Sequence, residues 1–192
     1  VGPDEFVFGG LLDRLTQPTL AEGWLPIAEI RYRHPSPIQP GGNVPLAQAT
    51  AQVPPEIYRL EAFAATTPRL FKNGVVFVKF DLAQGTNGYV AVEVDAGRPL
   101  KFQNGHVLDD QGRVLALFDA CWKWERQRAV VRLTPGAVAV LAIPTEPTDA
   151  STPLVLNPAT YSNYRQACAE SCRDLLAQGM DVQTPEPYVN NA

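Results

Sequence analysis

The residues in this chain that could do chemistry are few, and their spacing limits what they could do. His34 and His106 are the two histidines. A Ser-His-Asp or Cys-His system needs an imidazole within hydrogen-bond reach of the nucleophile, and neither histidine lies in a nucleophile-elbow motif. His34 leads into a proline run and His106 follows Asn104-Gly105, so both read as solvated loop residues. Cys168 and Cys172 have the i, i+4 spacing that can place two thiolates on one metal, but a closed zinc site needs four ligands and no second pair completes it. On a helix the same two positions share an apolar stripe, where a free Cys packs as a small hydrophobe.

Asp109 and Asp110 lack the alternating oxygen ligands of a calcium loop and read as a hairpin turn, Asp109-Asp110-Gln111-Gly112. Glu93, Asp95 and Asp119 fall at or near expected strand ends. Two such carboxylates are what glycoside hydrolysis uses, although a sequence gives no distance between them. Gly85-Thr86-Asn87-Gly88 has no following Lys or helix, so it is a hairpin loop rather than a phosphate cradle, and no cofactor is indicated.

The most unusual run is Trp122-Lys123-Trp124-Glu125-Arg126-Gln127-Arg128. Strand alternation puts Trp122 and Trp124 on one face, with Arg126 and Arg128 nearby as a basic patch. Exposed, the rings form a stacking platform for a sugar, a base or a partner's side chain. Buried, they form a heavy core pair, and the large apolar area of Trp favours burial. Trp122, Trp124, Arg126 and Arg128 are therefore the candidate binding residues. No residue is assigned to catalysis or to a metal.

Around these residues the chain repeats one unit from 56 to 144: a short run of Val, Ile, Phe and Leu, then a Gly, Pro, Asn or Asp turn. Strands are expected at 27–33, 57–63, 75–82, 89–94, 100–102, 114–119, 121–125, 129–133 and 138–143. Asn73-Gly74 and Asn87-Gly88 suit positions of positive φ, and Pro135-Gly136 suits a type II turn. The clearest helix is 158–178, with Asn157 as cap, Pro158 in the first turn, and Tyr161, Tyr164, Cys168, Cys172 and Leu175 along one face. A short helix is also expected at 4–16.

The segment 34–55 holds six prolines, Pro35, Pro37, Pro40, Pro45, Pro54 and Pro55, which cannot join a ladder and read as an extended loop or arm. The segment 145–157 reads as a linker and 181–192 as an extended tail.

At 192 residues one domain is expected. A net charge of −4 supplies no broad drive toward nucleic acid or anionic lipid. No apolar run approaches the roughly 20 residues of a transmembrane helix, and three cysteines do not form an even disulfide framework. The fold class is mainly β: a single antiparallel β-sandwich or flattened barrel of about seven to eight strands, jelly-roll-like or Greek key, with one C-terminal helix.

The absence of a catalytic set, together with proline-rich arms that could reach neighbours, points to a non-enzymatic structural or assembly protein, such as a virion component or a subunit of a surface assembly. Its expected partners are other protein subunits. A carbohydrate- or small-ligand-binding β module, and a small hydrolase with carboxylates at strand ends, are the alternatives.

Overall fold

A computed structural model describes residues 12–34, 55–149 apart from Ala96 and Arg98, and 154–179. The expected helix at 4–16 falls mostly outside that range, and its described part is a short 3-10 turn, Leu12–Arg14. The proline-rich stretch within 34–55 and the tail 181–192 lie outside the described residues.

The described chain is mainly β, with antiparallel sheets and one long C-terminal helix. Twelve strands are present among these residues: β1 (Thr19–Ala21), β2 (Leu25–His34), β3 (Glu56–Ala64), β4 (Val76–Gln84), β5 (Gly88–Glu93), β6 (Lys101–Gln103), β7 (His106–Leu108), β8 (Arg113–Phe118), β9 (Lys123–Glu125), β10 (Arg128–Leu133), β11 (Val138–Ile143) and β12 (Thr148–Asp149). A four-residue helix, α1 (Pro68–Phe71), joins β3 to β4, and α2 spans Pro158–Ala177.

The larger sheet runs β1-β2-β3-β4-β11-β8-β7-β6, with β12 also on β8, and the smaller runs β5-β10-β9. Two meanders, β1 to β4 and β6 to β8, thus approach from opposite edges, and β11 fills the gap between them. The sheets do not close into a barrel, so the sandwich alternative is the one that holds.

Strand β11 explains its own sequence. It is flanked by β4 and β8 and covered on both faces, which is why VAVLAI carries no polar residue. Val140 and Ala142 enter a core beneath α2, with Ile27, Phe63, Phe77 and Tyr161. Ala139 and Leu141 enter a second core beneath the small sheet, with Tyr32, Phe80, Phe118, Trp122 and Leu133. The molecule therefore has three layers: helix, large sheet, small sheet.

Helix α2 begins as its sequence dictates. The Asn157 side chain accepts from the Thr160 amide at 2.9 Å while the Asn157 amide donates to the Thr160 hydroxyl at 2.9 Å, a reciprocal cap, with Pro158 in the first turn. Tyr161 and Cys168 are fully buried and Tyr164 and Cys172 are half-buried, as the stripe requires. Leu175 is the exception, 70 % exposed, because the helix has by then run past the sheet it packs on. The linker 145–157 is also less open than its composition suggests, since β12 pairs with β8 and Leu156 is buried.

The turns expected from the sequence match their residues with one exception. Asp109 accepts from the amides of Gln111 and Arg113 at 3.0 and 2.9 Å, tying the β7–β8 turn. Gly88, expected at positive φ, instead lies in β5. What position 88 demands is space: a Cβ there would meet Tyr58 Cε1 at 2.8 Å.

Candidate functional site

The tryptophan run forms the β9–β10 hairpin and the corner that leads into it. Its two-residue loop is Arg126-Gln127, with φ of 48° and 67°. That is type I′ geometry without the Asn-Gly that usually supplies it, so the hairpin was not legible from its turn residues. Trp122 is 5 % exposed. Its Nε1 donates to the Val140 carbonyl at 3.1 Å, and its ring meets Phe118 and Phe80 edge-on at 5.3 and 6.1 Å. Trp124, half-buried, stacks on Phe102 with centroids 5.2 Å apart and planes 2° from parallel. The two rings thus share a face, as alternation required, and that face is used to clamp the small sheet onto the large one. Arg126 is exposed, whereas Arg128 sits in register between Glu93 and Glu125, where the acids offset its charge.

Beside this clamp is a cleft of about 490 Å³. Its walls are the β6–β7 hairpin, the end of β8 with the corner that follows, and residues 154–156. Asn104-Gly105 forms the hairpin's two-residue loop with φ of 51° and 78°, and a Cβ on Gly105 would lie 2.6 Å from the Phe118 carbonyl. The hairpin can approach β8 this closely only with glycine there.

Asp119 pins the corner. Its Oδ1 accepts from the Cys121 amide at 3.1 Å and from the Cys121 thiol at 2.7 Å, and its Oδ2 accepts from the Val140 amide at 3.2 Å. Both oxygens are committed to structure. Burial, aided by the hydrogen bond and charge of Asp119, pushes the Cys121 thiol up to about 12. His106 lines the cleft, and its Nδ1 stands 2.9 Å from the Asn104 carbonyl. A carbonyl only accepts, so Nδ1 is the donor of this pair, and Nε2 has no partner among the described residues.

Two further features were missed as sites in the sequence. The first is a cross-strand charge ladder on the helix side of the large sheet. Glu29, Glu61 and Lys79 are in register, as are Arg31, Arg59 and Asp81 one step along. Glu61 is buried and receives Lys79 Nζ at 2.9 Å, Arg165 Nε at 3.1 Å and Tyr161 Oη at 3.1 Å. Arg59 grips Asp81 through Nε and Nη2 at 2.8 to 3.0 Å. Period-2 charges in β2 and β3 were the available signal. Every acid in the ladder has a basic partner, which makes it a fastening of α2 to the sheet rather than an open charged site.

The second feature is an apolar end. β3 ends at Ala64, β4 begins at Val76 and β11 ends at Ile143, all in register, and the β1–β2 turn and α1 close the same end. The far half of α2 reaches it through Ser171 on Thr66 and an Arg173–Glu22 ion pair. Eight large hydrophobic residues are exposed among the described residues. Six of them, Leu20, Trp24, Phe71, Ile143, Leu175 and Leu176, belong to this end.

Of the other sequence candidates, Cys168 lies in the core, where burial and then the neighbouring Cys172 push its thiol up to about 11. Asp95 accepts from the Gly97 amide at 2.9 Å in a local turn, and Glu93 faces Arg128 across the small sheet. In comparisons with family models, with curated proteins and with solved structures, none matches this chain.

Proposed function

We propose that this chain is a non-enzymatic structural or assembly module that associates with other protein subunits through its apolar end, in the first place with copies of itself. The observation that carries this reading is the gathering of Trp24, Phe71, Leu175 and Leu176 at one end of an otherwise well-covered sandwich. Scattered exposed hydrophobes need no explanation, but a group of large ones at one end is the pattern of an interaction surface. Aromatic anchors of this kind carry most of the energy in protein interfaces. The helix supports the same reading, because its apolar stripe continues for a turn beyond the sheet. Leu175 and Leu176 there, 70 % and 63 % exposed, gain nothing from their own domain. Burying either against a partner would contribute on the order of 1.5 to 3 kcal/mol.

Sedimentation velocity over a wide concentration range tests this. The native chain should show concentration-dependent association, and the double substitution Phe71→Asp with Leu175→Asp should leave a folded monomer at every concentration. A native chain that stays monomeric throughout, or a variant that associates as well as the native chain, would sink the reading.

A further inference from the structure

The cleft beside the tryptophan clamp shares no residue with the apolar end, and its lining has a chemistry of its own. Its volume of about 490 Å³ falls within the range of small-molecule sites. Phe102, Phe118 and Trp122 give it aromatic wall. One face of Phe102 is taken by Trp124, so the part of the ring that meets the cleft is held in place from behind.

The polar lining disfavours charged ligands. No Lys or Arg among the described residues lines the cleft, so a phosphate or carboxylate would find no fixed cation there. Asp119 contributes a carboxylate, but three donors already occupy it, so it is a poor receptor for a ligand cation. What remains carries no fixed charge. His106 has one bond, from Nδ1 to the Asn104 carbonyl, which leaves Nε2 without a protein partner among the described residues and open to a ligand. The exposed Asn104 side chain at the rim offers an amide that both donates and accepts. An aromatic wall with hydrogen-bonding groups beside it suits a ring that has an apolar face and hydroxyl groups on its edge.

We propose that this cleft binds a neutral sugar ring, which packs its apolar face on Phe102 and hydrogen-bonds through a hydroxyl to His106 Nε2. No bond is made or broken in this step. The site is a binding site.

Amide-resolved NMR titration of the full chain with glucose, galactose, mannose and N-acetylglucosamine, each added separately, tests the assignment. The expected result is saturable shifts for at least one sugar, confined to residues 102–106, 117–122 and 154–156, with a Kd on the order of millimolar. His106→Ala, which removes the imidazole from a half-buried position, should weaken binding by roughly tenfold while the rest of the spectrum stays native. Phe102→Leu, which keeps the cleft apolar but removes the ring, should do the same. Absence of saturable shifts with all four sugars would overturn the proposal. So would shifts that map elsewhere, unchanged affinity in His106→Ala, or shifts produced by phenol or cyclohexanol and by none of the sugars.

Discussion

Glu61 shows how much one residue can be asked to hold. Burial on its own would raise its pKa, but the hydrogen bond and charge of Lys79, with Arg165 behind it, hold the carboxyl below its ordinary value near 4.5. A carboxyl depressed in the folded state adds stability that is complete above its unfolded pKa and is lost as pH falls through the folded one. Denaturant unfolding followed below about pH 4.5 should therefore show a steepening loss of stability that Glu61→Gln flattens. At pH 7 the same variant should be less stable by about 1 to 3 kcal/mol, because Lys79 and Arg165 lose their charged partner.

Cys121 gives a second residue-scale expectation. Although Cys121 is exposed, its thiol is pushed up to about 12. Alkylation at pH 8 should then run on the order of 100- to 1,000-fold slower than for a free thiol, and Cys168 should react only on unfolding. Fast native labelling of Cys121 would show that Asp119 does not hold it.

At the scale of elements, α2 separates two substitutions that look similar on a helical wheel. Asn157→Ala removes half of a reciprocal cap and should cost about 1 kcal/mol. Leu175→Ala should change stability by no more than about 0.5 kcal/mol, since its side chain is outside the core. Thermal melting of both variants checks the pair. Leu175 also marks a limit of sequence reading: the 3.6-residue period continues smoothly through it, and only the length of the underlying sheet decides that it is uncovered.

The β9–β10 hairpin marks another limit. Arg126 and Gln127 hold positive φ at a cost of roughly 1 to 2 kcal/mol per residue, so Arg126→Asn with Gln127→Gly should raise stability by on the order of 1 kcal/mol. By contrast, Asp109-Asp110-Gln111-Gly112, Pro135-Gly136, the 138–143 strand and the Asn157-Pro158 helix start were all readable, because there local chemistry and tertiary packing ask for the same residues. The cleft was not readable in advance. It depends on the β6–β7 hairpin lying against β8, which no local pattern announces, and the proximity of Asn104-Gly105 to His106 was the one hint.

At the scale of the whole molecule, β11 makes two cores behave as one. Alternate residues of this strand feed the helix-side core and the small-sheet core, so neither can loosen without disturbing the backbone of the other. Leu141→Ala, on the small-sheet side, should cost about 2 to 5 kcal/mol. The loss should appear as one coincident transition in tryptophan fluorescence measured in a Trp24→Phe background, where Trp122 and Trp124 report the small-sheet side, and in far-ultraviolet circular dichroism, which includes α2. Separate transitions would mean that the layers unfold independently.

Among the described residues the large sheet ends in β1 on one side and β6 on the other, and each is only three residues long. Edges this short offer almost no template for an incoming strand. The sheet therefore resists growing sideways into a fibre, and a copy that meets another along these edges has little backbone to hold. On the reading proposed above, contact between copies rests on side chains at the end of the sandwich rather than on main-chain ladders along these two edges.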